Sequence, residues 1–483
     1  MNKQTTIESA LPASRSRRSF LKGSAASALV IGFAWPALGG RVQAAAPPKT
    51  FAPSAWLRIT PDGRTTVVCG SAEMGQGVLT AIPMLLAEEL DADWSKVRVE
   101  QAPVDKAYNN PMFGMQATGG STTVRAHWEP LRKAGAAARE MLVAAAAAQW
   151  KVDAATLRTE KGHVIAADGK RKIGYGALVA AASALPVPDK PTLKNPKDFK
   201  LLGQPLKRLD SPQKVNGSGK FGIDAQVPGM LVAVMARAPM PGAKPTGMDE
   251  AAAKAVKGVR QVLTIPPGVA VLASGYWAAK KGRDALKVQW DLGDKAGLSD
   301  AKVTDMLTEG ADNAEAVAVD AGNVRDGAAA GAVGVDALYE APYLAHACME
   351  PMNCTAWVRG KGEDATVEIW AGTQSQGPAQ GILAQVAQAT PAKVKVNTML
   401  LGGGFGRRFA PDFTIDATLL SKISGKPVKL IYTREDDMAA GFFRPASVAR
   451  FSGAVDAQGR PTFLKAGVGS PSIMAASGFM KIP

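Results

Sequence analysis

Between residues 56 and 90 the chain runs from strand to glycine loop to helix with no residues to spare, and no other stretch constrains the fold as tightly. Trp56-Leu57-Arg58-Ile59-Thr60 and Thr65-Thr66-Val67-Val68-Cys69 read as strands, and Pro61-Asp62-Gly63 between them predicts a tight turn. After the loop at residues 70–77, Val78, Ile82, Leu85, Leu86 and Leu90 recur at helical spacing and predict one apolar helix face. A strand that enters a helix through glycines leaves backbone amides at the helix N-terminus, where an anionic ligand is stabilised. Glu73-Met74-Gly75-Gln76-Gly77 is such a loop, suited to a pyrophosphate or simply to a structural turn.

Two further small-residue stretches follow. Thr118-Gly119-Gly120-Ser121-Thr122-Thr123 opens toward a long Ala-rich helix, predicted over 128–150 with its start near Glu129-Pro130. Leu401-Gly402-Gly403-Gly404-Phe405-Gly406-Arg407-Arg408 is the third, and its glycine spacing matches neither the dinucleotide fingerprint nor a phosphate loop. Three such loops in one chain point to a long, phosphate-bearing ligand gripped at several points. The prediction is spatial: the turns around Gly75, Gly120 and Gly404 converge.

A chain of 483 residues needs more than one domain. Its 46% hydrophobic and 20% charged residues, with 50 Gly and 32 Pro, describe a loop-rich globular protein and exclude a coiled or wholly disordered one. A strand is expected at residues 96–101. Pro- and Lys-rich residues 184–205 and Ala/Gly/Asp-rich residues 296–332 read as linkers. Between them, residues 206–295 alternate short strands and helices as a small mixed domain. Residues 50–183 precede it, and strands and a helix resume over 333–483. The final Met480-Lys481-Ile482-Pro483 follows a strand pattern without a closing element, so an incomplete domain is expected.

At the other end, Ser16-Arg17-Arg18-Ser19-Phe20-Leu21-Lys22 precedes an apolar stretch at 23–38 and the small-residue site Val42-Gln43-Ala44. This is the twin-arginine export pattern, so residues 1–44 are expected to be a signal peptide that directs the folded protein to the periplasm. The apolar stretch is shorter than the roughly 18 residues of a spanning helix. Export of folded chains suits an enzyme that takes its cofactor before leaving the cytoplasm.

The formal charge is +15, of which the first 44 residues supply +5. The remaining basic residues are scattered, with no aromatic-interleaved run, so nucleic acid is not an expected partner. Cys69, Cys348 and Cys354 are too few for a four-thiolate iron–sulfur site, so any such cluster belongs on another chain. Cys348 and Cys354 either pair or stand as separate thiols. His127, His163 and His346 lack ligand spacing.

Taken together, these motifs resemble the xanthine oxidase family. Residues 71–80 (SAEMGQGVLT) resemble the loop that contacts its pterin cofactor, and residues 402–406 the loop that brings Phe and Gly beside molybdenum. Trp370-Ala371-Gly372-Thr373-Gln374 is similar to the segment whose Gln reaches a molybdenum oxo ligand. Residues 209–229, with Asp210, Lys214-Val215-Asn216-Gly217, Asp224 and Pro228-Gly229, look like the start of the family's hammerhead domain, and Met349-Glu350-Pro351 fits too. The EMGQG loop precedes the hammerhead stretch, an order typical of isoquinoline oxidoreductase large subunits.

The resemblance implies a multidomain α+β molybdopterin-binding fold with an inserted aldehyde oxidase/xanthine dehydrogenase a/b hammerhead domain. It implies molybdenum on a molybdopterin cytosine dinucleotide, and attack of a metal-bound hydroxide on an electron-poor carbon with hydride passing to a sulfido ligand. Gly75, Gln76 and Gly77 would contact the pterin, and Gly119, Gly120, Ser121 and Thr122 its phosphate end. Gln374 would reach the metal, with Gly404, Phe405 and Gly406 packed beside it. Gln374 and Phe405 are the implied catalytic residues of this chain.

The family's general base is a Glu in a C-terminal Gly-rich motif that this sequence does not reach. Glu73, Glu88 and Glu350 are candidate substitutes or structural acids. Arg407 and Arg408 stand where the family has glycines, and Arg407 is expected either to pair with a cofactor phosphate or to lie at the surface. Phe409 replaces the substrate-binding Glu of xanthine-oxidising members, which favours an apolar N-heterocycle or an aldehyde over a purine. The implied partners are a small subunit with iron–sulfur clusters and then a cytochrome or other acceptor. The alternative is a truncated homologue or gene fragment with no activity of its own.

Overall fold

The computed structural model describes residues 51–314 and 316–473; the expected signal peptide at 1–44 and the final ten residues lie outside them. Strands β1 (Phe51–Ser54), β2 (Leu57–Ile59), β3 (Thr65–Cys69) and β4 (Val97–Gln101) form one sheet in that order. The turn after β2 closes as the Asp-Gly pair predicts, with the Gly63 amide donating to Thr60 O at 2.8 Å. Helix α1 (Val78–Leu90) crosses from β3 to the parallel strand β4. Its face of Val78, Ile82, Leu85, Leu86 and Leu90 is buried against Leu57, Ile59 and Val67, as the spacing predicts. Helix α2 (Thr122–Trp150) adds Leu131, Met141 and Leu142 to this core. It begins well before Glu129-Pro130, because Thr122 donates its hydroxyl to Gly119 O at 2.8 Å and starts the helix there. A small antiparallel sheet of β5 (Arg158–Glu160), β6 (His163–Ile165) and β7 (Lys172–Gly174) and helix α3 (Tyr175–Ser183) complete this part.

Residues 184–205 carry no periodic structure beyond one turn at Pro196–Asp198, yet they do not hang free. The Glu88 carboxylate accepts the amides of Lys200, Leu201 and Leu202 at 2.9, 2.6 and 3.1 Å, and Lys194 Nζ bonds Asp91 at 2.7 Å. Glu89, fully buried beside it, binds Arg132 at 2.8 Å. Glu88 is therefore a structural acid that straps the segment to α1, not a base. These three amides and Lys194 Nζ, which also reaches the Glu88 carboxylate at 3.2 Å, explain why its pKa lies below the ordinary value despite the opposing effect of burial.

Beyond the strap come β8 (Leu231–Arg237), β9 (Lys244–Gly247), α4 (Glu250–Ala255), β10 (Val259–Ile265), β11 (Gly268–Ala273), α5 (Tyr276–Ala285) and β12 (Gln289–Asp291). The expected linker over 296–332 instead folds into α6 (Asp300–Asp312) and α7 (Val324–Ala329). These helices cover β18 (Ser447–Val455) and β19 (Pro461–Gly469), which form a three-stranded sheet with β13 (Val333–Ala341). A Cβ on Gly467 or Gly469 would strike the Ala311 or Leu307 carbonyl. The small residues serve close packing there, which the composition alone disguised as flexibility.

The largest sheet has the order β10-β11-β8-β17-β14-β15-β16, where β14 is Asn353–Arg359, β15 Thr366–Ala371, β16 Val394–Thr398 and β17 Val428–Ile431. β8 pairs parallel with β17, so strands from 206–295 and from 333–483 share one sheet. Helices α8 (Gln376–Ala387) and α9 (Asp412–Ser424) pack on it through Leu383, Phe413 and Leu420. The two stretches are also tied by charge: Arg237 of β8 binds Asp416 of α9 at 3.0 Å and lies over the Tyr432 ring.

Burial, reinforced by neighbouring Asp412, raises the Asp416 carboxyl from its ordinary 3.8 to about 6 against the pull of Arg237. Between those values the folded chain takes up a proton that the unfolded chain does not. This group's contribution to stability therefore grows as pH falls from about 6 toward 4. Asp416→Asn is expected to remove that growth, which urea midpoints of both proteins at pH 7 and pH 5 will reveal; a constant difference between them would contradict the assignment.

Candidate functional site

At the first glycine loop, Gly77 begins α1 in the left-handed region (φ 90°) and no side chain caps the helix at that position. The anion at this N-terminus comes from the loop itself. Glu73, only 1% exposed, accepts the Gly75 amide at 2.9 Å, the Gly77 amide at 3.2 Å and the Leu79 amide at 3.1 Å. The free amides expected around Gly75 are thus turned inward onto a resident carboxylate. Gln76 also folds back, accepting from the Met74 amide and donating to Ala72 O. What faces outward is the exposed backbone of Gly75 and Gln76. Glu73, like Glu88, is spent on structure and has no role as a base.

The second loop lies directly on the first. Thr118 Oγ1 accepts the Ala72 amide at 2.9 Å, and Thr123 Oγ1 donates to Ser71 Oγ at 3.1 Å. Ser121 precedes α2 with φ 53° and contributes no side-chain cap, and the first turn of α2 holds no acid. Gly120 and Ser121 are exposed. In contrast to α1, the positive end of this helix carries no carboxylate of its own. Thr122 is buried, with its hydroxyl held between Gly119 O and Asn110 Nδ2.

Gln374 binds the second loop to the third. Its backbone oxygen accepts the Thr118 amide at 2.7 Å, Nε2 donates to Thr118 O at 2.9 Å, and Oε1 accepts the Gly406 amide at 3.1 Å. One hydrogen of Nε2 is committed to Thr118, leaving the second. The third loop also meets the first, through the Leu401 amide and Glu73 O at 3.1 Å. A Cβ on Gly404 would lie 2.6 Å from Met74 Sδ and 2.7 Å from Gln374 Oε1, so a larger residue would have to push these side chains out of the junction. The turns at Gly75, Gly120 and Gly404 are therefore neighbours. Phe405 projects from this junction at φ 53° and 60% exposed, a conformation that costs a non-glycine residue energy and concentrates at functional loops.

Two arginines anchor the third loop from within. Arg408, 0% exposed, donates to Gly403 O, Gly372 O, Glu350 O and the Glu350 carboxylate at 2.8, 3.3, 2.7 and 3.0 Å. Glu350 also accepts the Gly402 amide at 2.9 Å and the Ile223 amide at 3.0 Å, so it too is structural. Arg407 does not lie at the surface, and its guanidinium is taken up by a carboxylate of this chain. It is buried, with a bidentate pair to Asp412 at 2.8 and 2.7 Å and the Phe442 ring 5.9 Å away. Burial opposes its charge, but the Asp412 carboxylate outweighs that and holds its pKa above the usual value. Cys348 and Cys354 are both buried free thiols, so the possible disulfide does not form.

Sequence reasoning missed the partners of these loops: Arg208 and Lys214 on Glu73, Arg408 on Glu350, and His346 beside Gly406. Lys214 and Asp210 stood out only as part of a motif. An arginine next to a glycine loop was the one available signal, and it does not reveal which way the side chain turns.

An α+β chain that gathers three glycine-bearing loops around one bridging glutamine belongs to the class of large cofactor-binding scaffolds. Residues 10–224 and 307–470 each match a molybdopterin cofactor-binding domain, which makes the chain a molybdopterin-binding protein. It belongs to the xanthine oxidase family. The isoquinoline 1-oxidoreductase subunit beta of Brevundimonas diminuta is 34% identical over 91% of this chain and 62% of that protein. The membrane-bound aldehyde dehydrogenase (pyrroloquinoline-quinone) of Gluconacetobacter polyoxogenes is 37% identical over 97% of this chain and 62% of that protein. Among solved structures, quinoline 2-oxidoreductase from Pseudomonas putida 86 superposes with a TM-score of 0.44 and 20% identity, over 55% of this chain and 38% of the other. The chain thus spans a little over three-fifths of the length of the two curated relatives.

Proposed function

We propose that the chain is the molybdenum-binding subunit of a molybdenum hydroxylase that oxidises an aldehyde or an apolar N-heterocycle. The observation that carries this is Gln374, which joins two glycine loops and whose Nε2 makes no second hydrogen bond among the described residues, where all three loops meet. The residues fit a long anionic pterin: the uncapped start of α2 at Gly119, Gly120 and Ser121 would take its phosphate end, and the exposed backbone of Gly75 and Gln76 would lie along its body. Gln374 would orient the metal end, with Phe405 and Gly406 as a wall. When bound, the molybdenum group supplies the redox chemistry. This chain would bind and orient it.

The substrate class rests on what surrounds the junction. Met349, Phe405 and Phe442 are exposed on or beside the third loop, and Phe409 stands at the sequence position that the resemblance gives to a purine-reading acid. The cytosine dinucleotide form of the cofactor, a small iron–sulfur subunit and a cytochrome-type acceptor complete the proposal, as does export to the periplasm on the strength of the Arg17-Arg18 motif. Residues 206–295, most of which lie between the two domain matches, are proposed as the hammerhead insertion. Metal analysis and pterin fluorescence of the protein purified from periplasm with its partner should find both in stoichiometric amount. A well-folded preparation without either would overturn the proposal.

A further inference from the structure

Two cations from distant sequence bind the Glu73 carboxylate that holds the first loop. Arg208 Nη2 lies 2.8 Å from Glu73 Oε1, and Lys214 Nζ lies 3.2 Å from the same oxygen. Both cations share a second buried carboxylate, Asp210, and Arg208 Nη1 also donates to Gly75 O at 2.9 Å. Two buried carboxylates and two half-buried cations thus alternate around one point beneath the EMGQG loop. The same segment continues to the third loop. Leu400 donates its amide to Lys220 O at 3.2 Å, and Ile223 donates to Glu350, the carboxylate that holds Gly402 and Arg408. Residues 208–224 therefore run as a bar from the carboxylate under one glycine loop to the carboxylate under another.

We propose that Arg208 and Lys214 are positioning residues that set the first glycine loop through Glu73 and, along the 208–224 bar, keep it in register with the loop at 402–406. This deepens the proposed cofactor site and rests on that reading: the two residues prepare the surface on which the pterin lies without touching it. A carboxylate that loses one of its two cations protonates more readily or swings out, and either change weakens its hold on the amides of Gly75, Gly77 and Leu79.

The pH dependence follows from the charges. The groups facing Glu73 are Arg208, Lys214, Asp210 behind them and the Cys69 thiol, which burial raises to about 12 and so keeps neutral. Burial pushes the Glu73 pKa up, but the three amides and Lys214 outweigh it and leave it below its ordinary value of 4.5. A depressed carboxylate keeps its loop ordered above that value and releases it as pH falls through the folded pKa. Removing the Lys214 charge moves the release to higher pH.

Hydrogen exchange on the cofactor-free chain tests this. Lys214→Met and Arg208→Met keep most of the side-chain volume and remove the charge, and Arg208→Lys restores the charge without the fork. In both Met variants we expect exchange to accelerate at least about tenfold over residues 74–79 and over 402–406. The pH midpoint for loss of protection at Gly75, Gly77 and Leu79 should move to higher pH in Lys214→Met. Arg208→Lys should recover part of the protection. Lys254→Met, which breaks only an exposed pair with Glu250, is the control. An unmoved pH midpoint, or loosening confined to residues 74–79, overturns the proposal. Pterin retention measured separately on the same variants reports on the cofactor reading, so wild-type protein that shows the exchange pattern but binds no pterin would remove that reading and leave the positioning role standing.

Discussion

Arg408→Met is expected to lower the unfolding free energy by about 3–5 kcal/mol, the range seen when one partner of a buried ion pair is removed. Arg408 is wholly buried and its guanidinium serves three carbonyls and the Glu350 carboxylate. Methionine fills a similar volume, so little of the loss comes from a cavity. The loss comes from Glu350, left buried with only neutral donors, and from Gly403 O, Gly372 O and Glu350 O, which lose their donors together. Burial already pulls the Arg408 pKa below its usual value, which means that its charge is maintained at some cost and only because Glu350 answers it. Arg408→Lys should recover only part of the stability, because a single ammonium cannot span carbonyls on both sides of the loop. Urea titration of the three proteins checks the series, and a change below about 1 kcal/mol for Arg408→Met would show that this ion pair is not an anchor of the loop.

Gln374→Ala should reduce bound pterin by about tenfold to a hundredfold, equivalent to about 1.4–2.8 kcal/mol. The substitution leaves Thr118 O of a buried residue without its partner, at about 1–3 kcal/mol before relaxation, and removes the side-chain acceptor of the Gly406 amide. The second and third loops then lose their side-chain bridge, although the backbone bond from Thr118 to Gln374 remains. Gln374→Glu is the informative companion. Its two oxygens can still accept from Gly406, but one must face the Thr118 carbonyl, so it should bind pterin poorly at neutral pH and better as the carboxyl protonates in acid. Extracted pterin fluorescence per chain, measured at two pH values, separates these outcomes. Normal retention in Gln374→Ala would remove Gln374 from the proposed site.

Much of the first part of the fold was legible because period and side chain agree there. Val78, Ile82, Leu85, Leu86 and Leu90 repeat at helical spacing and all are buried. The Asp-Gly turn closes where its dipeptide predicts. The segment at 184–205 has no helix or strand beyond one turn, as its composition suggests, but composition could not show that Glu88 fastens it; at 296–332 close helix-on-strand packing uses the alanines and glycines that read as a linker. In the candidate site, the glycine loops announced themselves through residues that tolerate positive φ. Their adjacency did not, since the bonds that join them include one between residues 73 and 401.

By itself the sequence determined the local elements, the three loops and the residue types that a cofactor could use, because backbone preference and periodicity act over a few residues. Tertiary structure alone decided where the charges went. It placed a resident carboxylate at the start of α1, none at the start of α2, and turned Arg407 inward onto Asp412. Which buried donor meets which acceptor depends on segments brought together from far apart, and desolvation makes each such pairing matter too much to be left open.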